Sequence, residues 1–214
     1  MSTLLLVGGG GHAKVVLDIA HAAGFSVVGF LDPDPAAPPI GEVRRLGDDA
    51  TAAALRAQGL TLAFVALGDN RLRRKIGERL RAEGFRLATL VHPSAVVSPS
   101  ASIGEGTVIM PLAVVNAAAR IGEYVIVNTG AIVEHDCVLG DGVHVAPRSA
   151  LGGCCTLGEE VFFGLGACAR PLSRIGAGAI VGAGAVVVGE IMANIVVVGA
   201  PARPLPGVDS EAVL

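Results

Sequence analysis

The sequence is poor in aromatic residues and has no long apolar segment. Only 3% of its 214 residues are aromatic, with no tryptophan and one tyrosine, although 52% are hydrophobic. Such a core has to be built from Val, Ile, Ala and Gly, which suits a narrow structure. No stretch of eighteen residues is apolar and free of charge and glycine, and no basic segment precedes an apolar one at the N-terminus. We therefore expect a cytoplasmic protein without a membrane span.

Clusters of positive charge are also missing. The net charge is −3, and the sequence contains no basic run interleaved with aromatic residues. Nucleic-acid-binding surfaces need such basic clusters to neutralise phosphates. The composition therefore argues against nucleic acid as a partner.

A six-residue repeat fills the second half of the chain. From Val91 to Val187 every sixth residue, which we call an anchor, is apolar, and a small residue follows most anchors at the fourth position. A period of six fits neither a helix, at about 3.6, nor a strand, at about 2, so it predicts short strands that turn a corner after each hexapeptide. Prolines two positions after an anchor indicate the corners. We interpret the glycines directly after many anchors as supplying unusual dihedral angles there.

Four cysteines lie inside this repeat. Cys137 and Cys155 occupy the small fourth position, where a thiol packs as a small hydrophobe. Together with Cys154 and Cys168 they show no metal-ligand spacing. We interpret them as packing residues and predict no metal.

Strand and helix patterns alternate before the repeat. Strands are predicted at 3–7, 26–31 and 62–67, with helices after each of the first two and a basic helix after Asn70. The glycine-rich segment Gly8–Gly11, between a strand and a helix, would direct backbone N–H groups at a phosphate. With Ala13 and Asp32 it is a weak dinucleotide fingerprint, and residues 1–90 suffice for one mononucleotide-binding half. A nucleotide or nucleotide sugar is therefore favoured over NAD.

The order of these motifs resembles one family. Gly11-His12 followed by Lys14, a strand ending at Asp32, the turn Gly68–Asn70 and then the hexapeptide repeat are similar to the sialic-acid and bacillosamine branch of the hexapeptide acetyltransferases. The resemblance implies an α/β Rossmann-like half-domain at 1–90, a left-handed parallel β-helix at 91–190 and a C-terminal closing segment at 191–214. It also implies a homotrimer with active sites between subunits, acetyl-CoA as co-substrate and a nucleotide sugar as acceptor.

The sequence Glu134-His135-Asp136 is the strongest catalytic candidate. His135 stands two residues after anchor Val133, in the slot that prolines take at other corners, so it should project outward beside two carboxylates. Acetyl transfer to an amine needs a base to take the amine proton, and histidine suits this role at neutral pH. The resemblance assigns this role to His135, with Asp136 as the adjacent carboxylate and Asn128 lining the same site.

The resemblance also assigns binding residues. His144 is half a coil from His135, so the two should not meet within one subunit, and it is implied to lie near acetyl-CoA at the subunit interface. A backbone N–H of Gly153 is implied to hold the oxyanion. The remaining cofactor contacts are expected at Leu165, Gly182, Ala183 and, near the CoA phosphates, Arg203. The nucleotide sugar is expected on Gly10, Gly11 and His12, with Asp32 near the base and Asn70 close by.

Three functions fit these features. The favoured one is acetyl-CoA-dependent N-acetylation of a UDP- or GDP-linked 4-amino-4,6-dideoxy sugar by direct transfer, in surface-glycan biosynthesis. An O-acetyltransferase of sialic acid or a related sugar would use the same residues, because one base serves a hydroxyl or an amine. A non-enzymatic trimer that binds a sugar nucleotide is the third.

Overall fold

A computed structural model describes residues 2–209, and the chain forms two compact units that divide between Pro93 and Ser94. Residues 210–214, the end of the predicted closing segment 191–214, lie outside the described residues. Within residues 2–209 no helix is both long enough and apolar enough to cross a membrane.

The first unit is an α/β layer structure. Its elements are β1 (Ser2–Val7), α1 (Gly11–Ala22), β2 (Phe25–Leu31), β3 (Arg45–Gly47), α2 (Thr51–Ala57), β4 (Leu62–Val65), α3 (Asn70–Ala82), β5 (Arg86–Leu87) and β6 (Leu90–Val91). Five of the strands pair in parallel in the order β3-β2-β1-β4-β5. The chain order reverses between β1 and β4, which in open α/β sheets is where ligands bind.

The burial of apolar residues explains most of the secondary structure of the first unit. The central strand β1 is buried continuously from Leu4 to Val7, as expected for a parallel strand covered on both faces. Helix α3 begins where the Asp69 carboxylate accepts a 2.7 Å hydrogen bond from the backbone N–H of Leu72, an N-cap. Strand β3 was not predicted, because three residues are too few to show an alternation.

The second unit is a parallel β-helix whose C-terminal strand pairs antiparallel with the strand before it. Its strands are β7 (Val96–Val97), β8 (Ser102–Ile103), β9 (Val108–Ile109), β10 (Val114–Val115), β11 (Arg120–Ile121), β12 (Ile126–Val127), β13 (Ile132–Val133), β14 (Val138–Leu139), β15 (His144–Val145), β16 (Ala150–Leu151), β17 (Thr156–Leu157), β18 (Phe162–Phe163), β19 (Cys168–Ala169), β20 (Arg174–Ile175), β21 (Ile180–Val181), β22 (Val186–Val187), β23 (Glu190–Ile191), β24 (Ile195–Val198) and β25 (Arg203–Asp209).

Each two-residue strand from β7 to β22 ends on an anchor, and it pairs in parallel with the strand one coil of eighteen residues away. Val133, for example, lies between Val115 and Leu151. Three sheets result, and the anchors fill the interior of the prism. The six-residue period therefore predicted these strands correctly.

The corners are tight turns, but the residue with the unusual backbone dihedral angles is not the one that the sequence interpretation indicated. From residue 106 to residue 184 the third residue after each anchor has a positive φ, as at Leu112 and Asp136. The N–H of the fourth residue then bonds back to the first, as from Ala131 to the Asn128 carbonyl at 3.0 Å. A left-handed residue at the third turn position, with proline favoured before it, is typical of a type II turn.

The glycines directly after anchors do not supply the positive φ. A Cβ added at Gly164 would lie 2.5 Å from the Val181 carbonyl oxygen and 2.8 Å from the Ala183 nitrogen, in the next coil. The interpretation of these glycines as dihedral devices is therefore wrong. They are required because the backbone of the neighbouring coil passes too close for a side chain.

Two glycines of the same corner, Gly164 and Gly166, allow the effect of close backbone approach to be distinguished from that of a left-handed φ. Gly164→Ala should lower the free energy of unfolding by about 2–3 kcal/mol, because backbone must move to admit the methyl group. Gly166 has φ 62° and open space around a Cβ, so Gly166→Ala should cost only the left-handed penalty, about 1 kcal/mol. Denaturant unfolding of both variants measures the difference, and equal losses would contradict the close-approach explanation.

Candidate active site

His135 lies on an exposed corner of the β-helix between β13 and β14. Its side chain is 57% exposed, in the slot that prolines occupy at other corners, so the predicted outward projection is confirmed. The Asp136 carboxylate Oδ2 lies 2.8 Å from the ring Nδ1. Because a carboxylate can only accept, this contact needs a proton on Nδ1, and in the neutral ring the lone pair then lies on Nε2.

The other carboxylate of this corner has a different partner. Glu134 Oε2 accepts a 2.9 Å hydrogen bond from the side-chain amide of Asn116, one coil earlier. The turn directs Asp136 toward the ring through its left-handed backbone, with φ 58°. Of the two flanking carboxylates, Asp136 orients the imidazole.

Gly153 stacks on His135 one coil later. A Cβ added there would lie 2.6 Å from both Cε1 and Nε2 of the ring, so the imidazole occupies the volume that any other residue would need. Gly153 also stands two residues after an anchor, where Pro111, Pro147 and Pro171 occur at other corners. The fold therefore does not need the N–H of this slot, and that of Gly153 is available to a ligand.

Cys154 belongs to the same corner, which the sequence interpretation missed. Its backbone N–H donates to the His135 carbonyl at 2.9 Å. Its Sγ lies within 4.8 Å of ligand atoms of both His135 and Asp136. The missing signal was the coil length: residue 154 stands one coil of eighteen after residue 136. Cys137 and Cys155, by contrast, are fully buried in the prism, as predicted.

Asn128 and His144 form a second group on a different corner. Asn128 Nδ2 lies 3.0 Å from His144 Nε2, and the His144 ring meets Phe162 edge-on with centroids 5.1 Å apart. His144 is only 8% exposed. Within one chain Asn128 therefore partners His144 and not His135, and its expected place in the His135 site stays a prediction.

The remaining predicted cofactor residues lie further along the β-helix. Leu165 is 54% exposed and Ala183 is exposed, one coil apart. A Cβ at Gly182 would lie 2.8 Å from a Val198 methyl group, so packing already explains this glycine. Arg203 is exposed at the start of β25, and its Nη1 donates to the Ala202 carbonyl.

In the first unit, the glycine-rich segment follows β1 at the point where the strand order reverses. Asp32 holds it, because its Oδ2 accepts a 2.7 Å hydrogen bond from the Gly9 N–H and its Oδ1 one of 2.9 Å from the Asp34 N–H. Gly10 and Gly11 are exposed, and a Cβ added at either would meet nothing within 4 Å. Nothing within the described fold requires glycine at these two positions.

Two residues behind this segment are buried together. Arg73 is fully buried and donates to the Leu67 and Gly68 carbonyls and, at 2.9 Å, to Asn70 Oδ1. Asn70 is itself only 1% exposed. The sequence analysis predicted only that Arg73 lies in the basic helix after Asn70. Its spacing from Ile76 and Leu80, on one helix face, was the signal that it faces the interior.

His12 lies in the first turn of α1. Burial, and secondarily the positive charge of Arg73, lower its pKa from 6.5 to about 4. The imidazole is therefore neutral at neutral pH, and it can meet a ligand as a hydrogen-bonding group and not as a cation.

A cavity of about 230 Å³ opens beside the carboxyl ends of β1 and β2. Its apolar wall includes Leu31, Leu67 and Leu72, and Asp32 and Asp49 border it. This combination of an apolar slot with polar groups at its border suits a flat ring with hydrogen-bonding groups.

Comparison with known proteins identifies relatives of this chain. Residues 3–80 match the PglD N-terminal domain family. The chain is 38% identical over 121 residues to UDP-N-acetylbacillosamine N-acetyltransferase of Bacillus subtilis, a match that covers 50% of this chain and 51% of that protein.

Solved structures match over nearly the whole chain, and they include those of two acetyltransferases. A variant of perosamine N-acetyltransferase from Caulobacter crescentus, in complex with CoA and GDP-perosamine, is 45% identical with a TM-score of 0.94, covering 96% of this chain and 97% of that one. The acetyltransferase domain of PglB from Neisseria gonorrhoeae is 42% identical with a TM-score of 0.91, covering 96% and 100%. The chain therefore belongs to the sialic-acid and bacillosamine branch of the hexapeptide-repeat acetyltransferases, with an α/β N-terminal part followed by a left-handed parallel β-helix.

Proposed function

We propose that the protein transfers the acetyl group of acetyl-CoA to the amine of a nucleotide-linked 4-amino-4,6-dideoxy sugar, with His135 as general base. The observation that carries this proposal is the 2.8 Å contact between Asp136 and Nδ1, which fixes the ring and leaves Nε2 as the proton acceptor. The likeness to structures that hold CoA and GDP-perosamine supports the class of both substrates. The proposal covers both UDP- and GDP-linked sugars, because one related protein is named for a UDP-linked sugar and another is in complex with a GDP-linked one.

The proposed steps of acetyl transfer follow from the groups at the corner of His135. As the amine nitrogen bonds to the thioester carbonyl carbon, its proton passes to His135 Nε2, and the carbon–sulfur bond then breaks to release CoA. Negative charge that develops on the carbonyl oxygen needs a fixed donor, and the N–H of Gly153 is one that the fold does not use. No covalent acetyl-enzyme is required, so transfer is direct.

We place the site between the subunits of a homotrimer. This is supported by the position of the two candidate groups on different corners of one chain, with His135 and Gly153 on one and Asn128 and His144 on another. The second group would contact acetyl-CoA, together with Leu165, Gly182, Ala183 and Arg203. A second copy of the chain can bring its Asn128 and His144 to the His135 and Gly153 of the first copy. The cytoplasmic location stays a prediction.

In the first unit we propose that the nucleotide diphosphate lies on Gly10, Gly11 and His12. The switch-point position and the helix N-terminus favour an anion there, and the neutral His12 provides a hydrogen bond. We assign the base to the cavity beside Asp32. Asp32 and Asn70 would then act mainly by holding the loops, since their side-chain oxygens already bond to the protein.

O-acetylation of sialic acid is the second candidate. The corner of His135 would serve a hydroxyl equally well, so geometry there does not separate the two. The N-terminal unit favours the nucleotide-linked acceptor, because the features of its switch point suit a diphosphate and a base.

Replacing His135 tests the base. His135→Ala should lower kcat by roughly 10²- to 10⁴-fold, since the amine proton loses its acceptor. The measurement is acetyl transfer to UDP- and GDP-linked 4-amino sugars and to free sialic acid, with exposed His21→Ala as the control. A loss of kcat below about threefold in a folded protein would refute the role of His135, and turnover of sialic acid alone would favour O-acetylation.

Gly153→Ala tests the stacking of the corner. The new methyl group would collide with the imidazole, so the ring must rotate away from its bond to Asp136. We expect kcat to fall at least about tenfold, a cost of about 1.4 kcal/mol in the transition state. Gly166→Ala, on another corner, is the matched control. Unchanged kcat in Gly153→Ala would show that the observed ring position is not the catalytic one.

Gly10→Ala tests the nucleotide site separately from folding. Because a Cβ at Gly10 meets nothing in the protein, and the N-cap preference for glycine opposes the entropic gain of alanine, the stability should stay within about 1 kcal/mol of the parent. Nucleotide binding should weaken at least tenfold. Thermal shift with UDP and GDP measures this, since a ligand at 100 times its Kd stabilises by about 2.7 kcal/mol. An unaltered shift would exclude close backbone approach at Gly10.

A further inference from the structure

The corner that carries the proposed base also carries a thiol. His135, Asp136 and Cys154 each offer one ligand atom, and these three atoms lie within 4.8 Å of one another. The side chains of His135 and Asp136 are more than half exposed, and Cys154 is half-buried beside them. A nitrogen, an oxygen and a sulfur donor therefore converge on one open surface point.

The β-helix fixes this convergence. Asp136 and Cys154 occupy the same left-handed turn position in successive coils, with φ of 58° and 60°. A 2.9 Å hydrogen bond from the Cys154 N–H to the His135 carbonyl joins the two turns. The backbone positions of the three donors are therefore set by the coil register, and only side-chain rotation is needed to bring them onto one ion.

The donor set selects a class of cation. Hard ions such as Mg²⁺ prefer oxygen ligands alone, whereas thiolate with imidazole favours Zn²⁺ and similar ions. Zinc sites with three protein ligands leave a fourth position for water or another ligand. The sequence interpretation found no metal-ligand spacing because it compared neighbours along the chain and not residues one coil apart.

We propose that His135, Asp136 and Cys154 form an inhibitory binding site for a thiophilic divalent cation of the Zn²⁺ class. Binding converts the Cys154 thiol to a thiolate and releases its proton to solvent. Whichever ring nitrogen the ion takes, His135 loses either its proton-accepting lone pair or its bond to Asp136. The inhibition rests on the proposed role of His135 as base, but the binding does not.

The binding is tested with Co²⁺, a coloured substitute for Zn²⁺, added to the full-length protein. Coordination of a thiolate gives an intense near-ultraviolet charge-transfer absorption, and competition against a chromophoric chelator gives the Zn²⁺ affinity. Cys154→Ser should abolish the absorption and weaken Zn²⁺ binding at least tenfold. Cys168→Ser, which removes an exposed thiol elsewhere on the β-helix, is the matched control. Loss of absorption in Cys168→Ser, or its retention in Cys154→Ser, would overturn the site.

Inhibition is measured on the same variants as the initial rate of acetyl-sugar formation, followed by chromatography because thiol reagents would be disturbed by zinc. The Zn²⁺ concentration for half inhibition should rise at least tenfold in Cys154→Ser, with inhibition of each variant expressed relative to its own rate without zinc. Zinc binding without inhibition would overturn the inhibitory role. If His135→Ala were also fully active, the proposed base would fail while the metal site stood.

Discussion

The coil register of the β-helix is the constraint on which the candidate active site depends. Successive coils stack in parallel so that residues eighteen apart lie directly above one another. Gly153 therefore meets the ring of His135, and the backbone of Cys154 bonds to the His135 carbonyl. Groups distant in sequence are held at a corner without any helix or long loop to position them.

In the first unit, polar side chains hold the loops near the candidate ligand site in place. Asp32 bonds to the backbone of the glycine-rich segment, and Arg73 bonds to carbonyls of the loop after β4. These two side chains fix the loops on both sides of the switch point. Gly10 and Gly11 then remain exposed, with space for a ligand against the backbone. Asp32 and Arg73 therefore have structural partners within this unit.

Much of the fold and of the candidate active site could be predicted from the sequence, because both units are built from short periodic elements. The anchors, the corners and the exposure of His135 follow from a period of six. The positive φ could not be placed in that way, since Leu112 and Tyr124 adopt it although neither is a usual left-handed residue. Contacts made through side-chain direction were also missed, as in the burial of Arg73 and the pairing of Asn128 with His144.

The stacking also limits how such a chain can change in length. A corner residue is defined by its position in the coil, so six residues inserted between His135 and Gly153 would carry Gly153 to the next edge of the prism. Eighteen would return it to the correct edge, but with a foreign coil between the two. The interval between His135 and Gly153 can therefore accept neither length, whereas whole coils can be added beyond either end of it. His135 and Gly153 form a fixed unit around which the rest of the β-helix can grow.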